Sequence, residues 1–135
     1  QLATVKSDLK SIFEQGGEEG KQLFGSLDKN RPLKIILNSK GENGAYLKGR
    51  VLTMDLGSKV PLMNWNTMKT FYPSTTRILG HEMGHALLGL YDEHPTMPMI
   101  EVDGVYKQNT PIVGFEDRLM RNIEGDNAAW RRYYR

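Results

Sequence analysis

His81, Glu82 and His85 form an HExxH pattern within the run His81-Glu82-Met83-Gly84-His85. Four residues advance an α-helix by about 400°, so the two imidazoles stack one turn apart on one face and can share a metal ion. Glu82 then lies beside them, where its carboxylate reaches a water activated by that metal. The only other histidine, His94, stands just downstream, so all the imidazole of the chain is gathered in one short window. Cysteine is absent, which removes thiolate ligation and disulfides alike. A metal must therefore be held by imidazole and carboxylate, and zinc is the cofactor this donor set suits. The plainer alternative is a pair of surface histidines on an amphipathic helix.

A catalytic zinc takes three protein ligands and keeps a fourth position open. Leu88 and Tyr91 stand where a metzincin places its glycine and third histidine, so that arrangement is excluded. His94, and Asp92 or Glu93 beside it, are candidates if the chain curls back after Gly89. The other route is a glutamate from a following helix, giving a His₂Glu site. Glu116 is the first choice there, expected in the first turn of the last helix where the dipole favours a carboxylate. Glu124 is a weaker competitor. In such a site Glu82 accepts a proton from the water and passes it to the leaving amine. Tyr106, Tyr133, Tyr134 and an arginine near the C-terminus are candidate donors to the tetrahedral oxyanion.

The elements that must position these groups follow from periodicity. Pro73-Ser74-Thr75-Thr76 reads as a helix start, and Ile78, Leu79, Met83, Ala86, Leu87 and Leu90 surround the His/Glu stripe with apolar surface. Gly80, Gly84 and Gly89 are costly within a helix unless another element packs closely there. Upstream, Leu2, Val5, Leu9, Ile12 and Phe13 predict a helix ended by Gly16-Gly17, and Glu18 to Leu27 a second, shorter one. Leu33–Leu37, Ala45–Leu47 and Arg50–Leu56 read as strands, with Val51–Leu56 expected near the site and an edge strand beside the cleft. A loop carrying Pro61, Asn64, Trp65 and Asn66 precedes the HExxH helix. The long segment Tyr91 to Gly114 follows it, with a strand pair around Ile100–Val102 and Val105–Tyr106. A last helix is expected from near Phe115 through Leu119, Met120 and Ile123. This order predicts an α+β fold: a compact zincin-like metallopeptidase with a small, mostly antiparallel sheet, an HExxH helix and a C-terminal helix.

The 135 residues, 39 % hydrophobic and 25 % charged, suit one domain with a single core spanning 1–135. A start at Gln1 leaves open that the chain is a piece of a longer one. The net charge of +2 is too small to argue for nucleic acid. No apolar run reaches the ~18 residues of a membrane span, and no signal peptide opens the chain. The basic, aromatic end Arg131–Arg135 reads as a tail whose tyrosines pack inward while its arginines face water.

The run Ile78-Leu79-Gly80-His81-Glu82-Met83-Gly84-His85-Ala86 is followed by Gly114-Phe115-Glu116-Asp117-Arg118-Leu119-Met120-Arg121, Gly125 and Arg132-Tyr133-Tyr134. Together these resemble the NleD-type effector zinc metalloproteases and the related metallopeptidase domains of bacterial polymorphic toxins, over roughly Leu33 to Tyr134. Asp117 stands where that family commonly has Asn, and no proline follows Gly125. The resemblance implies a zinc endopeptidase that is secreted or injected into another cell and cleaves a protein there, with an unknown immunity or delivery partner. Two other readings stay open: a metal-binding domain without peptidase activity, and a partner-binding domain with an incidental HExxH.

Overall fold

The computed structural model describes residues 1–64, 66–90, 99–102, 105–108 and 111–131. Two helices open the chain, α1 (Leu2–Gln15) and α2 (Gly17–Gly25). Val5 and Ile12 lie two turns apart on the buried face of α1, and Leu23 fills the same core from α2. Gly17 makes the sharp join between them with φ +60°, in the left-handed region that a side chain resists.

Three short strands follow: β1 (Lys34–Leu37), β2 (Gly44–Tyr46) and β3 (Val51–Met54). Their spatial order is β1-β3-β2, with β1 parallel and β2 antiparallel to β3. Leu52 and Met54 alternate inward from β3 and are fully buried, as the period of two requires. The strand expected near the site is therefore the middle one, and β2 is an edge. Where a plain loop was expected, β4 (Leu62–Asn64) and β5 (Lys69–Phe71) pair as an antiparallel hairpin. Helix α3 (Thr75–Leu88) carries the HExxH pattern, β6 (Met99–Val102) and β7 (Val105–Gln108) form the expected strand pair, and α4 (Pro111–Glu124) follows. The fold is α+β, and three of the four described strand pairings are antiparallel.

Helix α3 is central, packed against α1, α2 and α4 and against β2 and β3. A Cβ on Gly80 would lie 2.4 Å from Leu119 Cδ2, and one on Gly84 2.7 Å from Ile112 Cδ1. Leu119 and Ile112 are both fully buried, so these glycines are the clearance that lets α4 lie close on α3. Ile12, Leu23, Leu79, Met83, Phe115 and Leu119 join Leu52 and Met54 in one core cluster. Burying each such side chain contributes roughly 1.5–3 kcal/mol.

Helix α4 starts four residues earlier than expected, with Pro111 at its first position, where no amide hydrogen is needed. Glu116 consequently sits in the second turn, beyond the helix-dipole advantage assigned to it from sequence. It lies instead on the face that buries Ile112, Val113, Phe115, Leu119 and Met120. A carboxylate at that depth demands partners. No described helix is long and apolar enough to cross a membrane.

Candidate metal centre

Both ends of α3 are fixed by its own neighbours. The Ser74 hydroxyl oxygen accepts from the Arg77 amide at 3.2 Å, capping the first turn. At the other end Gly89 adopts φ 64°, its amide donating to the His85 carbonyl and the Leu90 amide to the Gly84 carbonyl. This left-handed stop carries the Leu90 carbonyl back to the His85 ring, where Nδ1–H donates to it at 2.6 Å. A backbone carbonyl only accepts, so His85 presents its Nε2 lone pair.

His81 is oriented from the opposite side by α4. Its Nδ1–H donates to Glu116 Oε1 at 2.7 Å. Glu116 also accepts from Arg77 Nη1 at 2.5 Å through Oε2 and from Arg131 Nη1 at 2.7 Å through Oε1. Burial alone would raise the pKa of this carboxyl. The hydrogen bond from His81 and the charges of Arg131, His81 and Arg77 outweigh it and hold the value at about 2. An ionised carboxylate accepts only, which fixes the proton of His81 on Nδ1 and leaves Nε2 as a lone pair. The two Nε2 atoms face each other 3.1 Å apart. Two lone pairs at that distance repel unless a cation lies between them. Nitrogens about 2.0–2.1 Å from a tetrahedral zinc lie about 3.3–3.4 Å apart, so the pair is spaced as two members of such a shell.

Asp117 borders the same network. Its Oδ1 accepts from Arg77 Nη1 at 3.2 Å and from the Arg131 amide at 2.9 Å. Oδ2 is buried and meets no partner among the described residues. Burial, then the adjacent Glu116 charge, pushes its pKa up to about 7. A raised acid pKa means the folded state favours the protonated form. The cost of ionisation is thus absent below about pH 4, grows as pH rises, and is fully present above about pH 7. Asn is the neutral isostere of that protonated acid and keeps the Oδ1 acceptor. Asp117→Asn is expected to gain about 1–3 kcal/mol at pH 8, with the gain vanishing near pH 4. Urea unfolding at both pH values reads this directly.

Glu82 is buried beside His81 on α3 and faces two hollows. One, of about 550 Å³, is lined by 41–46, Thr53, Glu82 and His85. The other, of about 390 Å³, lies toward Arg77, Ile78, His81, Val60, Pro61, Leu62 and Pro73. Residues 44–46 of β2, an edge of its sheet, line the first hollow, so the edge strand expected beside the cleft is β2.

The three HExxH residues and Glu116 are brought together, but Glu116 meets His81 at the Nδ1 edge of the ring, away from the paired Nε2 atoms. Glu124 is exposed at the end of α4. Asp92, Glu93, His94, Tyr133 and Tyr134 lie outside the described residues, and Tyr106 falls on β7. Among the described residues, no group of three His, Cys, Asp or Glu side chains forms a complete metal shell. Arg131 departs from the expectation of a solvated arginine. It is buried against Glu116, and its backbone bridges Asn64 of β4. Arg77 was not singled out from sequence. Its one signal is position, four residues before His81 on the same helical face.

The architecture can be set beside solved structures. A crystal structure of the Salmonella zinc metalloprotease effector GtgA superposes with a TM-score of 0.70, covering 98 % of this chain and 68 % of that one, at 17 % identity. The two chains share a fold. No protein-family model matches the sequence, and no curated protein matches it. At this identity the likeness to GtgA speaks for the architecture, and the chemistry rests on the residues above.

Proposed function

We propose that this chain is a zinc-dependent endopeptidase of bacterial effector or toxin type, folded as one domain. The observation that carries this reading is the facing pair of Nε2 lone pairs of His81 and His85, each with its Nδ1 proton committed elsewhere. The zincin-like fold shared with a zinc metalloprotease effector and the resemblance to NleD-type proteases support it. Both point to a protein substrate in a cell that receives the enzyme.

His81 and His85 are the two imidazole ligands. Glu116 is a positioning residue in this reading, a carboxylate that locks the tautomer and angle of His81 as outer carboxylates do for metal-bound histidines. With Glu116 engaged at Nδ1, this reading takes its third donor from the alternatives offered by the sequence, Asp92, Glu93 or His94, which lie outside the described residues. Zinc, when bound, polarises the scissile carbonyl and lowers the pKa of water towards ~7. Glu82 takes the proton of the attacking water and returns it to the leaving amine. An extended substrate pairs with the free side of β2, which brings its backbone past Glu82 and His85.

The test is metal content together with cleavage. The wild-type protein is expected to hold one zinc by elemental analysis and to cleave an unfolded protein substrate until a chelator is added. His81→Ala/His85→Ala should hold none. Stoichiometric zinc in that double variant would overturn the ligand assignment.

A further inference from the structure

The hollow of about 390 Å³ beside His81 has no role in the chemistry above, and its walls are informative. It is lined by Ile78, His81 and Glu82 of α3 and by Val60, Pro61, Leu62 and Pro73, with Asn43 and Ser58 as the neutral polar members. Apart from Glu82, the general base of the proposed reaction, charge enters through Arg77, Glu116 and Arg131. Those charges are committed to one another. Arg77 donates to Glu116, to Asp117 and, at 2.6 Å, to the Ala129 carbonyl, while Glu116 accepts from Arg77, Arg131 and His81. An entering carboxylate would lose its hydration and gain no new pairing in return, and an ammonium could pair only at Glu82, whose charge the proton transfer uses. An apolar side chain loses nothing on entry and gains the walls.

Position gives the hollow its meaning. Glu82 lines both this hollow and the one along β2. A peptide laid on β2 and cleaved at Glu82 therefore delivers the side chain next to the scissile bond into the apolar hollow. We infer that this hollow is the specificity pocket of the enzyme and selects a large apolar residue, such as Leu, Met or Phe, immediately flanking the cleaved bond. The inference rests on the peptidase reading and adds the substrate class to it.

Val60 is the wall residue to change, because it is 56 % exposed and outside the core. Zinc-loaded protein is incubated with a degenerate peptide mixture, and the cleaved bonds are read by mass spectrometry. Wild type is expected to enrich Leu, Met and Phe at one flanking position. Val60→Trp fills the hollow and should shift the ratio of Phe to Ala cleavage at least about tenfold toward Ala. Val60→Glu should bring Lys or Arg into the same position. An independent readout is fluorescence anisotropy of the preferred peptide on Glu82→Gln, where adding Val60→Trp should weaken binding at least about tenfold. Cleavage with no apolar enrichment at either flanking position, or profiles unchanged in both Val60 variants, would overturn the pocket assignment alone. No cleavage of any peptide by a zinc-loaded sample would overturn the peptidase reading, and the pocket assignment with it.

Discussion

Glu82→Gln is expected to reduce kcat/KM by about 10²–10⁴-fold, the usual contribution of a positioned proton-transfer group, while zinc content and thermal midpoint stay at wild-type values. The side chain is buried on the HExxH helix beside His81 and faces both hollows. Glutamine preserves its shape and removes only its basicity, so the loss isolates the proton transfer from packing. The measurement is chelator-sensitive hydrolysis of a cleaved peptide, with elemental analysis and a melting curve on the same sample. Hydrolysis within a fewfold of wild type would mean that another group moves the proton.

The second large effect concerns Glu116→Gln and has two readouts. Glu116 is 1 % exposed and lies between the guanidiniums of Arg77 and Arg131. Removing its charge leaves two buried cations without their shared anion, and breaking a buried pair in this way costs about 3–5 kcal/mol. The same change weakens the acceptor that fixes the His81 tautomer. Loss of an outer-shell partner lowers metal affinity about 10–100-fold. Zinc titration against a competing chelator and urea unfolding of the metal-free protein measure the two losses separately. Glu116→Asp, which keeps the charge and shortens the reach, should recover stability better than zinc affinity. A Gln variant with wild-type zinc affinity would remove Glu116 from any role at the metal edge.

Much of the scaffold was legible because its signals are local. Ser74 at the start of α3, Gly89 at its end and the apolar surface between them mark the HExxH helix from sequence. Alternation in Val51–Met54 marks β3. The hairpin β4–β5 was hidden because three-residue strands such as Leu62-Met63-Asn64 carry too little alternation to register. The start of α4 is masked by Ile112-Val113, a β-branched pair of modest helix propensity. Pro111, suited to the first position of a helix, is the one local cue. At the site, His81, Glu82 and His85 follow from helix geometry alone. Which edge of an imidazole a carboxylate 35 residues away will meet does not, because it depends on how α4 is rotated against Gly80 and Gly84. The role of Arg77 is hidden in the sequence for a related reason. A basic residue on a helix ordinarily faces water, and only the burial of Glu116 opposite it makes an inward guanidinium favourable.

The turn at Gly89 does two jobs in a single stroke of backbone. It halts α3, and by folding Leu90 back it hands the His85 imidazole the acceptor that aims it. Half of the proposed cation grip is thus oriented by the act of ending a helix, with no distant residue involved. Fraying of that one turn would blind the centre while the remainder of the molecule stayed intact.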